Sequence, residues 1–133
     1  MDEKHLKLNV YSPTRIFYEG EAEFVEFVTT EGELGVYPNH IPLTAVVAPG
    51  ILRITNDGKV REASLLDGFA TILPNEITVL SEACEWPEEI DIHRAEEAKI
   101  RAERKLAMEQ TIRDEMALKR ALIRMQLASK YHM

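Results

Sequence analysis

Residues 88–133 read EEIDIHRAEEAKIRAERKLAMEQTIRDEMALKRALIRMQLASKYHM and contain neither glycine nor proline. All six glycines and all six prolines of the 133-residue chain lie before residue 88. Because glycine and proline are the residues that most disfavour helix interiors, their absence predicts that this segment is helical. We therefore expect two domains, residues 1–87 and residues 88–133.

The helical segment contains one start signal and one break. Asp91 follows a proline and has the side chain of a helix N-cap. Thr111, with Asp114 three residues later, resembles a capping box, so a second helix is expected to begin there. Small apolar residues recur at spacings of three and four on both sides of this break, which suits two closely packed helices. The stripes are Ala95, Ala98, Ala102 and Leu106, and Ala117, Ala121, Met125 and Ala128.

The break itself is weak because no glycine or proline marks it. The segment could fold back as an antiparallel two-helix hairpin or straighten into one helix of roughly 40 residues, about 60 Å long at 1.5 Å per residue. Packing, and not local propensity, decides between these two forms. We expect the hairpin.

The first domain shows the two-residue alternation of β-strands. Apolar and polar residues alternate from Leu6 to Val10, and similar short runs follow at a spacing of about 8 to 12 residues, which indicates a β-sandwich or barrel. The turns between them carry Asn56-Asp57-Gly58 and Leu73-Pro74-Asn75. The expected fold is an N-terminal β-sandwich followed by the helical hairpin. The later predicted strands are residues 24–29, 51–55, 60–66, 68–73 and 77–80.

Charge divides the chain as sharply as glycine does. Residues 1–89 carry 6 basic and 16 acidic side chains, whereas residues 90–133 carry 10 basic and 7 acidic ones. A net charge of -7 argues against broad nucleic-acid binding.

No apolar run approaches the ~20 residues needed to cross a bilayer, and the acidic start does not resemble a signal peptide. Cys84 is the one cysteine, so the chain forms no internal disulfide. We expect a cytoplasmic protein whose two domains face different partners, or each other.

Residues 32–43 read GELGVYPNHIPL, a long and specific motif. In a chain that ends in an Ala/Arg-rich hairpin, this motif resembles the epsilon subunit of bacterial F-type ATP synthases, and the resemblance spans nearly the whole chain. The chain departs from the family pattern at Leu66-Asp67, where members of the family usually have small residues. The resemblance implies a central-stalk subunit without catalytic residues. Its partners would be the gamma subunit, the membrane rotor ring of c subunits and the alpha and beta catalytic subunits.

The same resemblance implies how such a subunit works. The sandwich would couple gamma to the c-ring, and the hairpin would extend along gamma and restrain ATP hydrolysis. The subunit would be peripheral, on the cytoplasmic face of the bacterial plasma membrane, and would meet the membrane only through the c-ring.

Residues 90–95 read IDIHRA and fit the pattern Ile/Leu-Asp-x-x-Arg-Ala that binds ATP in some bacterial members of this family. Carried over residue by residue, the resemblance implies an ATP site made of Glu85, Ile90, Asp91, Arg94, Ala95, Arg101, Arg120 and Arg124. ATP would be a regulatory ligand, and no cofactor is required. The arginine spacings of seven and four allow a closed hairpin to bring guanidinium groups to one polyphosphate, and a ligand held by both helices favours the closed form. The alternative is that Asp91 is only an N-cap and the arginines form a solvated basic face.

Two surface sites complete the expectation. By resemblance, the loop from Glu31 to His40 contacts the rotor ring through these two side chains. A basic face would meet acidic residues of the catalytic subunits in the extended state, and because an exposed ion pair contributes only ~0.2 to 1 kcal/mol, several must act together. This face comprises Arg101, Arg104, Lys105, Lys119, Arg120 and Arg124.

Other kinds of site have little support in the sequence. There is no GxxxxGK[ST] loop to cradle phosphates, so autonomous ATP hydrolysis is not expected. The four histidines are scattered without ligand spacing and Cys84 has no evident base partner, so we predict no metal site and no nucleophile. Two alternatives stay open: a nucleotide-sensing module whose hairpin folds on ATP, and an unrelated enzyme on a sandwich scaffold.

Overall fold

The computed structural model describes residues 4–131, so the outermost residues of the two predicted domains, 1–3 and 132–133, lie outside the described residues. The chain divides into two compact units, Met1–Cys84 and Glu85–Met133. The first is built of β-strands and the second of helices. The predicted fold class, a β-sandwich followed by a two-helix hairpin, is confirmed.

The first unit consists of short strands joined by tight turns. They are β1 (Leu6–Ser12), β2 (Arg15–Ala22), β3 (Phe24–Thr29), β4 (Gly32–Val36), β5 (Leu43–Val47), β6 (Gly50–Asn56), β7 (Lys59–Leu65), β8 (Gly68–Leu73), β9 (Glu76–Ser81) and β10 (Cys84–Glu85). Within the described residues they pair in the order β10-β7-β6-β3-β5-β8-β9-β1-β2, and β4 pairs with β3. The β1–β9 pair is parallel. One residue pair, Thr29 with Val47, joins β3 to β5 and so links the two halves of this order.

The core of the sandwich is filled from both halves. Along β9, Ile77 and Val79 are buried, whereas Thr78 and Leu80 between and after them are not. This is the alternation that a strand shows when one face packs inward. The large side chains that are fully buried in this unit include Leu6, Leu8, Val10, Val25, Phe27, Val36, Leu52, Ile54, Leu65, Ile72, Ile77 and Val79.

The predicted loop from residue 31 to residue 40 is wrong in part, because β4 occupies Gly32–Val36 and pairs with β3. Gly35 lets β4 lie close to the aromatic ring of Phe24. A side chain on Gly35 would come within 2.8 Å of the Phe24 ring, and that ring stacks on Tyr37 with centroids 4.1 Å apart. Sequence analysis also missed β2, β5 and the two-residue β10.

The second unit starts at Glu85, the last residue of β10, forms a short 3-10 turn and continues as two helices. The turn is Pro87–Glu89, α1 is Ile92–Met108 and α2 is Ile112–Tyr131. Both predicted caps are confirmed. The Asp91 side chain accepts a hydrogen bond from the Arg94 backbone N–H at 3.1 Å, and the Thr111 hydroxyl accepts one from the Asp114 N–H at 3.2 Å.

The two helices pack through small residues. Ala95 and Ala102 of α1 are buried, and so are Ala121, Leu127 and Ala128 of α2. Residues without long side chains let the two helix backbones approach each other, and burial of this stripe stabilises the folded-back form. The helical unit is therefore a closed hairpin.

Candidate functional site

A cavity of about 380 Å³ lies in the helical unit, at the end where α1 begins. Its lining consists of three acidic side chains, three basic side chains and two alanines. The residues that line the cavity are Glu85, Glu89, Asp91, Arg94, Ala95, Ala98, Arg101 and Arg124.

Helix geometry places the cavity residues of α1 on one face. Arg94, Ala98 and Arg101 follow one another at spacings of four and three, which puts them in a row along the helix. Ala98 is the small residue in the middle of this row, so it leaves space between the two guanidinium groups. Arg124 of α2 adds a third guanidinium group from the other helix.

The carboxylates of the cavity are held by hydrogen bonds. Glu89 accepts a hydrogen bond from the backbone N–H of Trp86 at 2.8 Å, and Asp91 caps α1. Glu85 accepts one from the Nε of Arg124, with Oε1 and Nε 2.6 Å apart. This last contact is also an ion pair between two half-buried side chains.

This arrangement suits a phosphorylated ligand. Guanidinium groups present several N–H donors in a plane and bind phosphate oxygens in pairs. Arg94 and Arg101 are exposed and can turn toward a ligand, whereas Arg124 is half-buried and reaches it from α2. Three guanidinium groups that line one cavity can therefore hold a chain of phosphates.

Most residues predicted for the ATP site meet at this cavity. Glu85, Asp91, Arg94, Ala95, Arg101 and Arg124 line it. The other two predicted residues do not line the cavity. Ile90 is buried, and Arg120 lies on α2 outside the lining.

Sequence analysis missed Glu89 and Ala98. Ala98 could have been predicted, because it lies four residues after Arg94 and three before Arg101 on the same helix face. Glu89 gave no such signal, because the 3-10 turn brings it to the cavity and that turn follows no helical or strand period.

The predicted basic face is divided between the cavity and the surface. Arg101 and Arg124 line the cavity and Arg120 is half-buried. The remaining three, Arg104, Lys105 and Lys119, are exposed.

The two residues predicted to contact a rotor ring lie on either side of β4. Glu31 is exposed in the turn before the strand, where its backbone N–H donates to the Thr29 hydroxyl at 3.1 Å. His40 is half-buried after the strand, and its Nδ1 lies 2.6 Å from the Ile41 carbonyl oxygen.

The sandwich carries an exposed apolar row that sequence analysis did not single out. Val46, Phe69 and Leu80 pair across β5, β8 and β9 and so lie side by side on one face. They are 46%, 60% and 54% exposed. We call these three residues the outer apolar row. Contiguous exposed apolar surface of this kind marks an interaction site more often than chance would place it there.

The described part of the chain lacks two kinds of feature. Between residues 4 and 131, no group of three or more His, Cys, Asp or Glu side chains is arranged to hold a metal ion. Neither helix of this part has the length and hydropathy to span a bilayer.

Comparison with known proteins gives a consistent result. The model of the ATP synthase delta/epsilon chain β-sandwich domain matches residues 5–87, and that of the delta/epsilon long α-helix domain matches residues 88–129. The ATP synthase epsilon chain of Caldanaerobacter subterraneus is 47% identical, with 97% of each chain covered. That of Ruminiclostridium cellulolyticum is 42% identical over 92% of this chain and 95% of the relative.

A solved structure resembles the fold at low sequence identity. A chain in the Euglena gracilis mitochondrial ATP synthase structure, which includes OSCP, F1 and the c-ring, superposes with a TM-score of 0.79 at 22% identity. The match covers 96% of this chain and 82% of that chain.

Proposed function

Because the chain belongs to the ATP synthase delta/epsilon chain family, we propose that it is a regulatory central-stalk subunit of a rotary F-type ATP synthase. A member of this family is a subunit of the complex and not its catalytic subunit. In this proposal the sandwich couples gamma to the c-ring. The hairpin senses nucleotide and restrains ATP hydrolysis by the alpha and beta subunits. The observation that carries the proposal is the match of both family domains, over residues 5–87 and 88–129. The cavity with its three arginines supports the nucleotide-sensing part of it.

The outer apolar row supports a docking role for the sandwich. Three apolar side chains on neighbouring strands are exposed in the isolated chain, and burial of apolar surface is the main favourable term in protein association. We assign this row to the contact with gamma. Glu31 and His40, on either side of β4, are assigned to the c-ring, which would place the protein at the cytoplasmic face of the membrane without contact to lipid.

The cavity supports ATP as a regulatory ligand of the hairpin. Arg94 and Arg101 come from α1 and Arg124 from α2, so a polyphosphate that binds all three holds the helices together. Such a ligand stabilises the closed hairpin by its higher affinity for that form. When ATP is scarce, the open fraction of the hairpin rises, and opening carries the exposed basic residues Arg104, Lys105 and Lys119 toward the catalytic subunits.

One experiment tests the ATP site. Equilibrium dialysis with labelled ATP compares the full chain with Arg94→Ala and with Arg104→Ala, a control of equal charge on the same helix outside the cavity. We expect saturable binding that Arg94→Ala weakens and Arg104→Ala leaves unchanged. Absence of binding at millimolar ATP would remove ATP from the proposal.

A second experiment tests the brake. The complex lacking this subunit is reconstituted with the full chain or with Arg104→Ala/Lys105→Ala/Lys119→Ala, and ATP hydrolysis is measured at low ATP. We expect faster hydrolysis with the triple variant, most clearly at low salt, since exposed ion pairs are screened by salt. Equal rates, with equal binding of both chains to the complex, would contradict the role of these residues.

A nucleotide-sensing module that acts alone is the second candidate, because the cavity would serve it equally well. The outer apolar row separates the two candidates, since a free sensor has no use for it. Co-purification with gamma supports the stalk subunit, and a monomer that binds ATP but no gamma supports the free sensor.

A further inference from the structure

An ion pair joins the start of the helical unit to the second half of α2. Arg124 donates from its Nε to the Oε1 of Glu85 over 2.6 Å, across 39 positions of sequence. Glu85 precedes α1, whereas Arg124 lies in the second half of α2. If α1 and α2 formed one straight helix, its rise of about 1.5 Å per residue would carry Arg124 more than about 40 Å from the start of α1. The pair therefore exists only in the closed hairpin.

The carboxylates around the cavity do different work. Glu89 and Asp91 accept backbone N–H groups of Trp86 and Arg94, so both shape the start of the helical unit. Glu85 instead pairs with the side chain of Arg124, which belongs to α2. Its carboxylate thus holds the guanidinium group of Arg124 in the way that a phosphate oxygen of a ligand would.

Charge leads to the same conclusion. The cavity is bordered by three carboxylates and three guanidinium groups, so its formal charges balance while it is empty. Without Glu85, the guanidinium groups would outnumber the carboxylates and repel one another across the hairpin. An anion at this place lowers the repulsion between the guanidinium groups, and Glu85 is such an anion.

We propose that Glu85 is an internal anion that keeps the hairpin closed when the cavity is empty. The Glu85–Arg124 pair sets the ratio of open to closed hairpin before any ligand binds, and a bound polyphosphate shifts a population that is already mostly closed. This inference rests on the proposed function in one respect, the opening of the hairpin, and it does not require that ATP binds.

The experiment measures the distance between the helices in the full chain. Cysteines for spin labels replace two exposed residues, Glu97 of α1 and Gln126 of α2, in a Cys84→Ala background. Packed helices hold their axes about 10 Å apart, whereas one straight helix separates these positions by about 40 Å. Two distance populations therefore report the closed and open forms.

Three variants are compared in buffer without nucleotide. Glu85→Gln removes the charge, and Glu88→Gln, an exposed acid outside the cavity, is the matched control. Glu85→Arg combined with Arg124→Glu reverses the pair and keeps its attraction. For a partly exposed pair, we expect Glu85→Gln to raise the ratio of open to closed hairpin roughly two- to fivefold. Glu88→Gln and the reversed pair are expected to keep the native ratio.

The outcomes separate this inference from the proposed function. An equal ratio for Glu85→Gln and Glu88→Gln overturns the inference, and so does a reversed pair as open as Glu85→Gln. An open population that stays below detection in every variant overturns it as well, because closure would then not depend on the pair. ATP is added to the same samples afterwards. A native chain that does not respond to ATP counts against the ATP site alone.

Discussion

Replacing Phe69 by alanine tests the docking surface of the sandwich. A buried aromatic side chain covers roughly 200 Å², and Phe69 is 60% exposed in the free chain. About 120 Å² thus remains for a partner to cover, and at about 25 cal/mol per Å² its loss costs up to about 3 kcal/mol of binding free energy. That corresponds to about a 100-fold rise in Kd. Association also carries costs that area does not include, so we expect a rise between about 10- and 100-fold.

The assay is a titration of the labelled chain with the isolated gamma subunit, and Val60→Ala is the control. Val60 is 50% exposed on β7, which pairs with β6 and not with the strands of the outer apolar row. Neither substitution should lower the melting temperature by more than a few degrees, because at least half of each side chain is in solvent in the free chain. If Phe69→Ala and Val60→Ala bind gamma with the same Kd as the native chain, the outer apolar row is not the docking surface.

Three further predictions concern the helix caps, the sandwich and the cavity. Thr111→Ala removes the cap of α2 and should cost about 1 kcal/mol of hairpin stability, seen as a lower midpoint in thermal melting followed by circular dichroism, whereas Thr111→Ser should restore it. Gly68→Ala places a methyl group 1.9 Å from the Leu80 carbonyl oxygen; because backbone cannot turn aside, we expect a loss of about 1 to 3 kcal/mol or more in urea unfolding. Arg94→Ala should weaken ATP binding about 10- to 100-fold, the loss of a charge-assisted hydrogen bond, while Arg104→Ala should not; equal affinities would rule out the cavity as the phosphate site.

The resemblance to the epsilon family named most of the candidate site, and helix geometry explains why its α1 half could be placed from the sequence. Asp91, Arg94 and Arg101 occupy one helix face by their spacing, and a helix repeats every 3.6 residues whatever surrounds it. Which residues of α2 line the cavity depends on how α2 is aligned with α1 along the hairpin, and local sequence does not determine this alignment. Arg120 and Arg124 were predicted together, yet only Arg124 lines the cavity, since the buried alanine stripe fixes which turn of α2 faces α1.

The strands divide in a similar way. Those with regular alternation, such as β1 and β9, could be read from their apolar residues. β4 could not, because Gly32 and Gly35 interrupt its pattern, and its place depends on pairing with β3 and on the Phe24 ring that covers Gly35.

Local chemistry in the chain already specifies the division into two domains, the sheet character of the first, and the caps at Asp91 and Thr111, since each depends on residues a few positions apart. The closed state of the hairpin, the contact of Glu85 with Arg124 and the alignment of the outer apolar row needed the folded molecule. These features join residues far apart along the chain. Their formation depends on the free energy of packing whole helices and strands, which no short stretch of sequence encodes.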